Sequence, residues 1–287
     1  MAVRIVTDST ADIPQDQARA AGITIVPLTV FFGDEAYLDG VELDSASFYK
    51  KLAASKTLPR TSQPSPAAFQ QAYTRLVDEG ADAILSVHLS AKLSGTFQSA
   101  RTARDTLPDT VKEIPIDIID SQSISVGMSR AILLAAQEAR AGLGLAEIKA
   151  RVLDQLARTR ILAVLDTLEF VRRGGRIGGA RAMLGNMLSV KPIVSLRDGE
   201  VIPVEQPRTR SKAYARIAQL VQEMDRVEHV SIAESDDEVG HQLAQEIQTV
   251  YTGELPIYRL GAVLGTHTGP GTAAVAVVAA KQGSKGK

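Results

Sequence analysis

The sequence contains no cysteine, which excludes disulfides, thiolate metal ligands and thiol nucleophiles. It also lacks an excess of charge of either sign: 32 lysines and arginines face 33 aspartates and glutamates, for a net charge of -1. That balance gives no global field drawing the chain to nucleic acid or to an anionic membrane. No apolar run approaches the roughly 20 residues that a bilayer-spanning helix needs, and the late run Ala273 to Ala280 is far shorter. The start, Met1-Ala2-Val3-Arg4-Ile5-Val6, passes directly into a strand-like pattern without the apolar core or cleavage region of a signal peptide. A soluble cytoplasmic protein is expected. No two of its four histidines stand at a metal-binding spacing, so no metal site is expected. Neither a Walker loop nor a G-x-S-x-G nucleophile elbow occurs. There is no internal repeat, and the polar tail Lys281–Lys287 is the one low-complexity stretch.

What is present is an ordinary globular composition, 45% hydrophobic and 23% charged over 287 residues, enough for two domains of moderate size. In the first half, short apolar runs at Val3–Thr7, Ile23–Val30, Ala83–Leu89 and Ile116–Ile119 alternate with helical patterns. Such alternation predicts a parallel sheet with helices on its faces. Ser65-Pro66 opens one helix, whose apolar positions Phe69, Tyr73, Leu76 and Val77 recur at helical spacing. Ile132–Ala141 and Leu145–Leu156 read as further amphipathic helices.

After about residue 158 the texture changes. Ile161–Leu165 reads as a strand and is followed by the cluster Arg172-Arg173-Gly174-Gly175-Arg176-Ile177-Gly178-Gly179. Lys191–Leu196 and Val201–Glu205 flank Arg197-Asp198-Gly199-Glu200, and Asp-Gly between strand-like runs predicts a hairpin. Ser235-Asp236-Asp237-Glu238 matches a capping box before a helix over Val239–Val250. The expected fold is therefore α/β with two domains. Residues 1–158 form a Rossmann-like parallel sheet with helices, and residues 159–287 an α/β domain with a mixed or antiparallel sheet.

Four polar loops could carry chemistry, and each has a plainer structural reading. Thr7-Asp8-Ser9-Thr10 ends the first strand, at the sheet edge where ligands gather in open parallel sheets. It reads equally as a helix cap, with Asp12 or Thr10 supplying the cap. Arg60-Thr61-Ser62-Gln63-Pro64-Ser65-Pro66 is a semi-rigid loop with two adjacent hydroxyls before a helix start that favours anions, or a simple turn. Leu89-Ser90-Ala91-Lys92-Leu93-Ser94-Gly95-Thr96-Phe97 joins a strand to a helix start, where free N–H groups and the Ser94 and Thr96 hydroxyls suit a carboxylate or phosphate. There the alternative is an N-cap serine. Gly265-Thr266-His267-Thr268-Gly269-Pro270-Gly271 reads as a tight loop presenting His267, an imidazole able to donate to or neutralise a carboxylate. His88, His229 and His241 read as structural or solvated. An enzymatic alternative pairs Ser94 with His267 as a hydrolase or phosphotransferase, but the sequence offers no third residue to orient the base. A DNA-binding alternative rests on Arg172, Arg173, Arg176 and Arg181, without a recognisable recognition helix.

Taken in order, seven segments make the chain resemble the DegV family, FakB-type, from Ile5 to about Val278. They are Thr7–Asp12, Thr61–Pro64, Leu93–Ala100, Asp120-Ser121, Arg173–Ile177, Lys191–Ile193 and His267–Gly271. The resemblance implies a long-chain fatty acid held between two α/β domains by a non-catalytic carrier with no cofactor. It also implies a partner, a separate FakA-like kinase that phosphorylates the carboxylate with ATP toward phospholipid synthesis. By motif, Thr61 or Ser62, Ser94 with the Gly95 amide, and His267 would hold the carboxylate. Arg176 and either Arg208 or Arg210 would serve partner docking or phosphate recognition. Ala180, Ala182, Met183, Leu184, Met187 and Leu188 would line the acyl tail, or else Met183, Leu184, Met187 and Leu188 form one face of a core helix.

Overall fold

The computed structural model describes residues 2–186, 190–224 and 226–281. Met187 and Leu188, two of the tail-lining expectations, and most of the polar C-terminal tail lie outside them.

The N-terminal half is built on a parallel sheet of β1 (Val3–Asp8), β2 (Ile23–Val26), β6 (Ala83–His88) and β7 (Ile116–Asp120), in the order β2-β1-β6-β7. Every residue of β6 is buried, as a central parallel strand covered on both faces must be. One face packs Val3, Ile5, Leu85 and Val87 against α6 (Val126–Arg140) and α7 (Leu145–Arg158). The other packs Val6 and Ile84 against α3 (Pro66–Asp78) and α4 (Thr96–Asp105).

Ile23–Val30 is not one strand. The chain breaks at Pro27, which has no N–H for a ladder, and resumes as β3 (Thr29–Phe32) in a second sheet. There it pairs antiparallel with β4 (Glu35–Leu38) on one side and β5 (Arg60–Ser62) on the other. Leu28, Val30 and Phe32 of this segment pack with Phe48 and Leu52 of α2 (Ser45–Ala54) and with Ala262 and Val263 of α11 (Ala262–Thr268). The small sheet thus ties the first half of the chain to its end.

The chain leaves α7 at Arg158 and enters β8 (Thr159–Val164) of a six-stranded mixed sheet, in the order β10-β9-β8-β13-β11-β12. The members are β9 (Ile193–Arg197), β10 (Glu200–Glu205), β11 (Val227–Glu234), β12 (Ile257–Arg259) and β13 (Ala273–Ala279). The late apolar run is β13, a central strand paired with β8 and β11. Asp198 and Gly199, at φ 51 and 80, make the two-residue hairpin between β9 and β10, as the Asp-Gly pair predicts. Gly199 also meets the other half of the molecule: its carbonyl accepts from Ser90 Oγ at 2.7 Å, and a Cβ there would lie 2.4 Å from that oxygen. The capping box falls one residue later than expected. Asp236 caps α10 (Asp237–Gln248), because Ser235 Oγ instead donates to Asp236 Oδ2 and accepts from Thr272 N–H.

Candidate functional site

The C-terminal ends of β1, β6 and β7 and the loops after them face the six-stranded sheet. Open parallel sheets hold ligands at that edge, at the point where the strand order reverses. Here the reversal lies between β1 and β6. The cavity at this edge has about 100 Å³ of room for the centres of water-sized molecules. Leu28, Leu89, Leu93 and Ile124 form its N-terminal wall. The opposite wall comes from alternate residues of β8 and the residue after it, Ile161, Ala163 and Leu165, which project to one side by the two-residue period of a strand. Their neighbours Leu162 and Val164 point into the domain core. Val194, Leu196 and Val201 extend that wall. Thr61, Ser94, Arg176, His267 and Thr268 bring most of the polar chemistry to the lining.

Thr61 and Ser62 are separated by the pleat of β5. Thr61 turns toward the cavity, while Ser62 is exposed and donates to the Gln63 carbonyl. The expected loop is an edge strand, and its register makes the choice between the two hydroxyls. Thr61 Oγ1 lies 2.8 Å from His267 Nε2, joining residues 206 apart in sequence. His267 is carried not by a loop but by the last turn of α11, whose Ala262 and Val263 pack in the small-sheet core while Val263, Leu264, His267 and Thr268 line the cavity. Its Nδ1 is buried without a hydrogen-bond partner and faces Gly174, where an added Cβ would lie only 2.3 Å away. Burial, reinforced by the nearby Arg176 charge, pushes the imidazole down to about 4, so it is neutral at pH 7.

Arg176 belongs to the cavity wall. Its Nε donates to the Leu93 carbonyl at 3.0 Å and its Nη1 to the Gly174 carbonyl at 2.6 Å. It supplies a fixed positive charge beside a neutral histidine. Ser94 stands at the same end, with its Oγ 2.9 Å from Thr96 Oγ1. Gly95 caps α4 without a side-chain bond and is covered by Gln63, whose amide nitrogen would lie 3.0 Å from an added Cβ. Among the described residues Ser94 and His267 share no hydrogen bond, and His267 Nδ1 has no orienting partner. The catalytic dyad of the enzymatic alternative is therefore not assembled here.

The remaining arginines are placed differently. Arg210 donates to Asp166 Oδ1 at 2.7 Å, where Lys191 also bonds, while Arg208 is exposed. Arg172 and Arg173 both pair with Glu169, which depresses that carboxylate to about 2 and leaves the basic cluster partly neutralised. Ala180, Ala182, Met183 and Leu184 do not line this cavity. They lie on a 3-10 stretch (Gly178–Asn186), and Ala180 and Met183 pack in the core around Leu165 and Ile177. No group of three or more His, Asp or Glu among the described residues is arranged to hold a metal ion.

Two buried networks around the site escaped the sequence reading. Tyr73 OH donates to Ser86 Oγ at 2.9 Å, Ser86 Oγ lies 2.7 Å from His88 Nε2, and His88 Nδ1 lies 2.9 Å from Asp8 Oδ2. His88 is thus structural, and Asp8 also accepts from Leu89 N–H and caps the 3-10 turn Ser9–Ala11. At the start of α11, Gly261 N–H donates to Asp12 Oδ1 and Ala262 N–H to Asp39 Oδ1, both at 2.9 Å. Burial raises Asp12 to about 8 and Asp39 to about 6, against the hydrogen bonds that favour their ionised forms. These two carboxylates anchor the helix that carries His267.

The family whose profile matches residues 2–280 is described as "Uncharacterised protein, DegV family". A DegV domain-containing protein of Streptomyces coelicolor is 37% identical over 284 residues, covering 96% of this chain and 98% of its own length. A Thermus thermophilus structure named "Fatty Acid Binding of a DegV family Protein" superposes with a TM-score of 0.88 at 34% identity, covering 98% of this chain and all of the other. The Bacillus subtilis structure of "DegV, a fatty acid binding protein" gives a TM-score of 0.85 at 31% identity, with the same coverage.

Proposed function

The chain belongs to the DegV family, and from that premise we propose that it binds one long-chain fatty acid in the cavity between its parallel and six-stranded sheets. The observation that carries this reading is a mostly apolar channel with Thr61, Ser94, Arg176 and His267 gathered at one end. A sixteen-carbon chain has about fourteen methylenes, and their full burial contributes a gross ~11 kcal/mol before the entropy of binding is subtracted. An unpaired buried carboxylate would cancel much of that gain. The Arg176 guanidinium offers charge, and Thr61 and Ser94 offer hydroxyl donors. His267, neutral in the empty chain, becomes a donor once its proton sits on the nitrogen facing the acid.

In this reading the chain is a carrier and not a catalyst. It presents the carboxylate to a separate, FakA-like ATP-dependent kinase, which forms the acyl phosphate used in phospholipid synthesis. Support comes from a second void at the channel mouth. It shares Thr61, Arg176 and His267 with the channel and adds Arg60, Arg173 and Phe170, leaving the head group next to an open, basic vestibule. The exposed Arg208 is assigned to the kinase-facing surface and Arg210 to the Asp166 ion pair.

The test is chemical extraction. Protein purified from cells is denatured in organic solvent, and the extract is analysed by mass spectrometry. Near-stoichiometric fatty acid, lost in an Arg176→Met, His267→Ala double variant, supports binding. The kinase step is tested separately, by acyl phosphate formation from ATP that requires kinase, fatty acid and this chain together.

A further inference from the structure

The channel has an inner end as well as a mouth. A third void lies beyond it, between the loop after β7 and α7, lined by Asp120, Gln122, Ser123, Leu153, Leu156 and Asp198 among others. This void and the channel share two lining residues, Ile161 and Leu196. Three spaces therefore run in series: a basic vestibule, an apolar channel, and a mixed chamber that is itself open to solvent. Thr61, Arg176 and His267 stand at the first junction, and Ile161 and Leu196 at the second.

Strand geometry fixes their order. Ile161, Ala163 and Leu165 step along one face of β8 over about 13 Å, from the inner junction toward the mouth. In the β8–β9 ladder Leu162 pairs with Ser195 and Ala163 with Val194, which brings Ile161 beside Leu196 at the next position. Ile161 is held firmly, packed with Val126, Leu264 and Ala276. Leu196 is only partly buried and packs against that cluster and against the one around Leu165. Beyond the pair the walls turn polar at Asp120, Gln122 and Asp198. An alkyl chain gains from each methylene up to this point and loses contact with apolar walls past it.

We propose that Ile161 and Leu196 form the septum that ends the acyl channel and sets the longest chain accepted; this rests on the fatty-acid reading above. Leu196 is the movable half, because its partial exposure leaves it room to turn. Trimming the pair joins the channel to the chamber, whose floor of Leu153, Leu156 and Ala157 then receives the end of a longer chain.

The experiment uses the full-length chain, stripped of lipid, and competition of saturated acids of twelve to twenty-four carbons against a fluorescent fatty acid. Each additional methylene accommodated is worth about fourfold in affinity. The expected result is that Leu196→Ala and Ile161→Ala, Leu196→Ala shift the length optimum upward by two or more carbons, about fifteenfold or more in the affinity ratio. Leu196→Phe is expected to shift it downward. Circular dichroism confirms folding, and because Leu196 is partly exposed, the two Leu196 variants decide the question if the double variant fails to fold. An unchanged length profile in folded Leu196→Ala and Leu196→Phe overturns the septum while leaving fatty-acid binding intact. Failure of the wild-type chain to bind any of the acids instead overturns the binding reading and the septum with it.

Discussion

Gly174→Ala is the sharpest single perturbation of the head-group site. Gly174 has φ -68 and ψ -12, so alanine meets no backbone strain there, and space alone decides the outcome. The new methyl would lie 2.3 Å from His267 Nδ1, more than 1 Å inside ordinary contact distance, and 3.1 Å from Cε1. The imidazole is the part able to move, and moving it breaks the 2.8 Å bond to Thr61. Overpacking of this kind costs about 1–3 kcal/mol, offset in part by the better helix propensity of alanine. A melting temperature lower by roughly 2–6 °C follows. Loss of one well-aimed donor to a carboxylate, worth about 1.5–3 kcal/mol, weakens the acid by about 10- to 150-fold. Gly175→Ala is the control. Gly175 has φ +74 with no atom within 4 Å of an added Cβ, so it pays backbone strain without touching His267. The assays are thermal unfolding and displacement of a fluorescent fatty acid. If Gly174→Ala and Gly175→Ala lower affinity equally, or neither does, the assignment of His267 to the carboxylate is wrong.

Three further outcomes follow from the same geometry. Arg176→Met retains the apolar stem but removes the charge, and is expected to weaken the acid about 10- to 150-fold while leaving binding of the corresponding fatty alcohol within about threefold. Asp12 keeps its proton up to about pH 8 in the folded chain but releases it near 3.8 when unfolded, so its contribution to stability falls as pH rises through that interval. Asp12→Asn, at a residue with φ 52 where asparagine is well tolerated, is expected to be more stable than wild type at pH 8 and to flatten that slope in urea titrations. Gly199→Ala is expected to cost at least 1–2 kcal/mol from its φ of 80, and more because the hairpin tip is pushed off Ser90, read as an earlier urea midpoint.

The sheet architecture was largely readable because it depends on local pattern. The largely apolar β6 and the Asp-Gly hairpin each announce themselves within a few residues. The small antiparallel sheet was not readable, since Glu35–Leu38 and Arg60–Ser62 are only four and three residues long and become strands only by pairing with β3. At the site, Thr61, Ser94 and His267 were each visible as polar residues in special contexts. Their convergence was implied only by the family resemblance, because it joins β5, the loop after β6 and α11. Arg176 was expected, from the family motif, to serve partner docking or phosphate recognition, and its place in the cavity wall depends on bonds to the distant Leu93 carbonyl and to Gly174. The usable signal was Gly174, since a glycine in ordinary helical conformation points to something packed closely against it. The burial of the Asp12 and Asp39 carboxylates gave no signal, because it depends on contacts more than 200 residues away.

The central claim is that the cavity takes a long apolar chain and anchors it by its acid group. Calorimetric titration of the lipid-stripped protein with a sixteen-carbon fatty acid, and in parallel with its methyl ester, tests both halves at once. The account predicts one-to-one binding of the acid with a negative heat-capacity change from apolar burial, and an ester at least tenfold weaker. Equal binding of acid and ester would contradict the head-group assignment, and no saturable binding of either would contradict the account as a whole.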